Sequence, residues 1–120
     1  MNDLVERLTK EQPIEASLRP EPTVEAFQEA LDRGYVHCKF INTKGGTELG
    51  IRMDEKECDL SKADFEKGTG SVKIVGGLIL DYVRVRFHGT IDLPELTGKG
   101  YLEVLEEVSP GQIESAETVH

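Results

Sequence analysis

Apolar and polar residues alternate along two stretches, Tyr35 to Thr43 and Thr47 to Met53, which a glycine pair separates. Successive side chains of a β-strand point to opposite faces, so each stretch predicts a strand with one apolar face. Lys44-Gly45-Gly46 lies between them, and glycine supplies the positive φ that tight hairpins require. The pattern therefore predicts a β-hairpin over residues 35–53.

Apolar residues after Thr23 recur at the spacing of a helix rather than a strand. The stripe consists of Val24, Phe27, Ala30 and Leu31. Thr23 is a favourable N-cap and Gly34 a favourable residue just beyond the C-terminal end. We therefore predict a helix from Thr23 to Arg33. Before it, apolar residues at helical spacing over residues 4–8 predict a short helix, which cannot continue past Pro13. Alternation over residues 14–18 then indicates a short strand.

The segment from Ser71 onward is strand-like almost without interruption. Residues 72–74 and 83–88 alternate, and residues 78–80 are continuously apolar. Gly76-Gly77 lies inside this run and predicts a bulge or a sharp bend, whereas Asp81-Tyr82 is the expected reversal of direction. A loop through Pro94 and Gly98-Lys99-Gly100 then leads to a last strand from Tyr101 to about Leu105.

Two stretches have little apolar content. Residues 54–70 are polar and rich in turn-forming residues, and we expect one helical turn from Leu60 to Phe65. Residues 107–120 contain Ser109-Pro110-Gly111 and should form a mobile C-terminal tail. We expect one globular domain over residues 1–106, which is an ordinary length for a single core.

Strands joined by short turns, with helices gathered near the N-terminus, are typical of an α+β domain. We expect an antiparallel β-sheet of five to six strands, with the helix Thr23–Arg33 packed on one face. A small closed β-barrel is the alternative, because five or more strands with internal glycines can curl until the sheet closes. The pattern alone leaves an open sheet and a closed barrel undecided.

Charge is distributed unevenly along this acidic chain, whose formal net charge is −9. The segments 35–53 and 71–91 together carry six basic residues against two acidic ones. If the apolar residues of each strand face the core, the basic residues that alternate with them all point outward. The candidate partner-binding residues are Arg84, Arg86, His88, His37, Lys39, Arg52 and Lys73.

Such a basic face can hold a carboxylate or a phosphate, since arginine donates forked hydrogen bonds to both. The competing interpretation is that cross-strand acids of the same chain neutralise it. Glu48, Asp81 and Glu103 are the acids best placed in strands to do so. The pattern favours the internal ion pairs and the ligand site about equally.

The residue types that support metal binding or catalysis lack the necessary spacing. His37 and Cys38 are adjacent in a strand and point to opposite faces, and His120 lies in the tail, so we expect no metal site. Cys38 points to the same face as the apolar residues of its strand and should be buried. The acidic residues on both sides of Cys58 disfavour the thiolate form of that cysteine. We expect no catalytic residue and no cofactor.

We therefore expect a small, soluble, non-catalytic binding or accessory protein, although the pattern does not rule out an enzyme. Its basic sheet face would bind an anionic small molecule or an acidic protein surface. A chain of this net charge should not bind nucleic acid or a membrane, and homodimers are compatible with the pattern. The N-terminus carries charges where a signal peptide has an apolar core, so we expect a cytoplasmic location.

Two other functions remain open at this point. A closed barrel could hold a small molecule in its mouth or interior, with turnover by His88, Tyr82 or Asp81. Alternatively, exposed strand edges could assemble into a homo-oligomeric structural protein. The sequence does not identify the ligand, the partner, the pathway or the oligomeric state.

Overall fold

The computed structural model describes residues 3–18, 21–43 and 45–107, which form two helices and seven strands. The elements are α1 (Asp3–Leu8), β1 (Gln12–Ser17), α2 (Val24–Arg33), β2 (Tyr35–Phe40), β3 (Thr47–Met53), β4 (Ala63–Asp64), β5 (Thr69–Leu80), β6 (Val83–Asp92) and β7 (Thr97–Glu107).

Helix α2 has the ends that its capping residues predict. The Thr23 side chain accepts a hydrogen bond from the Ala26 amide at 3.1 Å. Gly34 has φ 76°, and its amide donates to the carbonyl oxygens of Ala30 and Leu31. These caps satisfy donors and acceptors that the helix ends would otherwise leave unpaired.

Six strands close into an antiparallel barrel, in the order β3-β2-β1-β7-β6-β5 and back to β3. The β3–β5 closure is short, with only Arg52 opposite Gly77 and Met53 opposite Gly76. A Cβ atom at Gly76 would overlap the carbonyl oxygen of Arg52, so a bare backbone is what lets β3 approach β5. The closed-barrel alternative is therefore correct, and an open sheet is not formed.

The two helices lie at opposite ends of strand β1, and α2 packs against β2 while α1 packs against β7. Helix α2 joins β1 to β2 at one end, and α1 leads into β1 at the other. Val5 and Leu8 of α1 and Phe27 of α2 are fully buried and belong to the same core as the inward strand residues. Burial of both helices thus completes a single apolar interior.

The segment between β3 and β5 differs from its prediction. Instead of a helical turn at Leu60–Phe65, it forms turns and the short strand β4, which pairs with the start of β5. The Asp54 amide donates to the Val75 carbonyl at 2.8 Å, and Asp59 and Lys73 exchange backbone hydrogen bonds. Backbone pairing with β5 therefore outweighs the local preference for a helical turn.

The glycines of β5 and β7 also depart from the prediction. Gly76-Gly77 produces no bulge in β5; the register shift of the sheet lies at Arg84/Val85. Gly98-Lys99-Gly100 is part of β7 rather than a turn. A Cβ atom at Gly98 would overlap the carbonyl oxygen of Thr90 on β6. These glycines permit close approach of neighbouring strands and do not end them.

The C-terminal boundary of the domain stays a prediction. Strand β7 runs through Glu107, and residues 108–120, where we expect the tail, lie outside the described residues. Neither described helix is long and apolar enough to cross a membrane.

Candidate partner-binding surface

Strand β6 presents its basic residues outward, as the alternation predicts. Val83, Val85 and Phe87 are buried, whereas Arg84 is exposed and Arg86 and His88 are half-buried on the outside. Phe87 packs edge-to-face against Phe40, with ring centroids 6.0 Å apart. The apolar residues of the strand therefore point into the barrel, and the basic residues that alternate with them point to solvent.

Each outward basic residue of β6 has an acidic neighbour from the same chain. Arg84 donates from Nε to Glu106 Oε1 at 3.0 Å, and Arg86 donates from Nη2 to Asp54 Oδ2 at 2.7 Å. His88 Nε2 lies 2.8 Å from Glu103 Oε1, and the His88 ring stacks on another aromatic ring, that of Tyr101. Much of the positive charge expected on this face is therefore balanced internally.

The remaining candidates are distributed around the barrel. His37 and Lys39 are on β2, Arg52 is on β3, and Lys73 is on β5, where it forms the β-bridge to Asp59. In a ring of six strands, β2 and β6 are three strands apart in either direction. The seven candidate residues therefore do not share one face; Arg52 and Arg84 are the two that line a common cleft.

This cleft has a volume of about 680 Å³ and follows the seam between β3 and β5. Its walls and floor include Gly50, Arg52 and Met53 from β3 and Gly77, Leu78 and Ile79 from β5. The two strands are paired at only two positions, and the cleft lies where the pairing stops. It is an open groove on the barrel wall, and we name it the seam cleft.

Two exposed apolar side chains stand beside the arginines of the seam cleft. Tyr35 is 38% exposed, and its phenol lies over the bare backbone of Gly50. Leu105 is 49% exposed. It is the extra residue of β7 at the register shift, because Arg84 pairs with Glu106 while Val85 pairs with Val104. Nothing in the local sequence distinguishes Leu105 from a core residue of the last strand, so the sequence gives no signal for it.

The cysteines have structural positions. Cys38 is fully buried, as predicted, and burial raises the pKa of its thiol to about 12. The Cys58 thiol donates to the Val75 carbonyl and accepts from the Val75 amide, each at 3.2 Å. Partial burial raises the pKa of Cys58 too. Neither thiol has the low pKa of a nucleophile. Within residues 3–18, 21–43 and 45–107, no cluster of His, Cys, Asp and Glu could hold a metal ion.

The ion pair Arg86–Asp54 joins β6 to the residue that follows β3, beside the seam cleft, and its contribution to stability can be measured. Both side chains are about one-third exposed. A double-mutant cycle with Arg86→Ala and Asp54→Ala should therefore give a coupling energy of about 0.5–1 kcal/mol in urea unfolding. The same cycle on Arg84 and Glu106, which are more exposed, should give a smaller value. A larger coupling for the outer pair would show that exposure does not control these energies.

Sequence comparison identifies the family. The family model described as "Core binding factor beta subunit" matches residues 1–118. The chain belongs to the core binding factor beta family. It is similar to "Protein big brother" of Drosophila melanogaster, with 30% identity over 112 residues. The match covers 85% of this chain and 50% of the relative, so the chain spans about half the length of that protein.

Membership of the core binding factor beta family confirms the expected non-catalytic accessory protein, since the family consists of subunits. The predicted partner, an anionic small molecule or an acidic protein surface, is wrong. Members of the family bind Runt-domain DNA-binding transcription factors, which are protein partners. The physical reason for the error is visible in the ion pairs: basic residues counted along a segment are paired with acids from elsewhere in the chain.

Proposed function

We propose that this chain is the non-catalytic subunit of a transcription factor and binds a Runt-domain DNA-binding protein through the seam cleft. Family membership supports the class of partner. The observation that supports the location is the combination, in one groove, of exposed apolar side chains and arginines. Tyrosine and arginine are enriched among the residues that contribute most to protein–protein binding.

The seam cleft fits a protein surface better than it fits a small anion. Its floor includes buried aliphatic side chains, Leu78 and Ile79, and its basic residue Arg84 already has Glu106 as a partner. A protein surface can cover the apolar floor and leave the ion pairs at the rim. Arg52 and Arg84, which line the cleft, are the predicted site residues that we retain in this interface. The other five are proposed only as contributors outside it.

The alternatives from the sequence receive less support. The barrel interior is filled by fully buried side chains such as Ile14, Phe40 and Phe87, which occupy the space that an internal ligand would need. Outside the seam cleft, the edges of β5 are used within the chain: it pairs with β6 on one side and with β3, the Asp59 bridge and β4 on the other. We therefore propose neither internal turnover nor a homo-oligomeric sheet.

A role beside a DNA-binding transcription factor implies work in the nucleus. We therefore propose a nuclear location for the complex instead of the cytoplasmic one expected from the sequence. Because the chain matches half of its Drosophila relative, the proposal concerns this domain and not the whole of that protein.

Isothermal titration calorimetry with a purified Runt domain tests this function. We expect a one-to-one complex with a dissociation constant of about 1 μM or tighter, as specific protein interfaces commonly give. Leu105→Glu places a charge in the seam cleft and should weaken binding at least about tenfold. The exposed position Thr90, outside the seam cleft, provides the matched control, and Thr90→Glu should bind like the wild type. If the wild type and the Runt domain form no complex, the proposed function is wrong.

A further inference from the structure

The floor of the seam cleft lacks a side chain at its most accessible point. Gly77 is exposed on the outward face of β5, between the buried residues Gly76 and Leu78. The nearest atom to a Cβ built at Gly77 is the Val85 carbonyl oxygen, 3.9 Å away. The backbone there is not in the left-handed region, so a side chain would be accommodated without strain. The folded chain therefore does not itself require glycine at this position.

The neighbouring glycines show that this situation is particular to Gly77. A side chain at Gly76 would collide with the backbone of β3, and one at Gly50 would collide with the Tyr35 phenol. Contacts with backbone therefore require glycine at Gly76, whereas at Gly50 the exposed Tyr35 side chain would have to move. Gly77 instead leaves empty space above the main chain, and that space opens into the seam cleft.

The surroundings of Gly77 define what could occupy the space. Met53 and Ile79 provide apolar surface in the cleft. Charged side chains flank it on the neighbouring strands: Arg52 lies opposite Gly77 on β3, and Arg86 lies opposite it on β6. Arg86 is paired with Asp54, and Arg84 is paired with Glu106. An apolar centre enclosed by a polar rim is the usual anatomy of an energetically important contact between proteins.

We propose that a large apolar side chain of the protein partner inserts over Gly77 and packs against its bare backbone. This inference rests on the proposed function, because the partner is the one assigned there. A basic side chain would fit less well, since Arg52 lies opposite Gly77 and Arg84 lines the same cleft. Glycine at position 77 then serves the complex and not the fold.

The test replaces Gly77 with side chains of increasing size and measures the affinity for a Runt domain by calorimetric titration. Gly77→Ala should weaken binding a few-fold, and Gly77→Leu should weaken it at least about 30-fold, because the leucine occupies the volume of the partner's side chain. Thr90→Leu adds comparable apolar bulk on the exposed side of β6 and should leave the affinity unchanged. Urea unfolding should show that all three variants are as stable as the wild type, so loss of binding cannot be attributed to loss of the fold.

The possible results separate this inference from the proposed function. If the wild type binds the Runt domain and Gly77→Leu binds equally tightly, the insertion is excluded while the proposed function stands. If the wild type does not bind, the proposed function is wrong and the inference fails with it. Weakening by Gly77→Leu but not by Thr90→Leu supports both.

Discussion

Gly76→Ala should lower the free energy of unfolding by about 3 kcal/mol, because the added methyl group meets the backbone of β3 and a buried side chain that have little room to move. A Cβ atom at Gly76 would overlap the Arg52 carbonyl oxygen and press on the Ile51 side chain. Relief of this overlap requires β3 to move away from β5, and their pairing covers only two positions. The substitution should therefore weaken the closure of the barrel, which urea denaturation followed by circular dichroism would measure.

Gly77→Ala is the matched control for this prediction. The two glycines are adjacent in β5, and both pair with β3 across the seam. Only Gly77 has open space where a Cβ atom would lie. Its substitution should change the free energy of unfolding by less than about 0.5 kcal/mol, or raise it slightly, since alanine restricts the unfolded chain. Equal destabilisation by the two variants would show that close approach at Gly76 does not close the barrel.

Phe87→Ala should also be strongly destabilising, by about 3–5 kcal/mol. Phe87 has no exposed surface, and its ring packs edge-to-face against Phe40 at 77° between the ring planes. The ring also lies over Gly89, where a side chain would collide with it. Removal of the ring would leave a cavity bounded by paired strands, which cannot collapse freely to fill it.

Tyr82→Ala serves as the control for Phe87→Ala. Tyr82 lies in the turn between β5 and β6 and is 50% exposed. Its replacement should cost about 1 kcal/mol or less in the same urea experiment. The account of the core would be contradicted if truncation of Phe87 cost no more than truncation of Tyr82.

The elements predicted most accurately from the sequence are those whose signals are local. Thr23 and Gly34 mark the ends of α2, and both caps make the expected hydrogen bonds. The hairpin of β2 and β3 has its strands where period-two alternation places them. In each case, a few consecutive residues contain the physical cause of the element.

Closure of the barrel has no such local cause. Gly76 in the sequence is compatible with a bulge, a bend or close approach of another strand. Only the position of β3 in the folded chain decides among these, and β3 ends more than twenty residues before Gly76. The pattern therefore favours an open sheet and offers the closed barrel only as the alternative.

The candidate surface shows the same division. Alternation correctly places Arg84, Arg86 and His88 on the outside of β6. It cannot show that Asp54, from a turn 32 residues away, reaches Arg86. Nor can it show that the register shift of β7 exposes Leu105 beside the seam cleft. The expected anionic partner was wrong because charge was counted along segments, whereas a partner meets charges as they are paired in space.

The central claim is that a protein partner docks on the seam cleft. The most direct measurement is the nuclear magnetic resonance footprint of an unlabelled Runt domain on the ¹⁵N-labelled chain. Docking as proposed should shift or broaden the amide signals of Gly50, Arg52, Gly77 and Leu105. The amide signals of Gln12 and Thr90, which lie outside the seam cleft, should not change. Signals that change only at Gln12 and Thr90, with the cleft amides unaffected, would contradict the account.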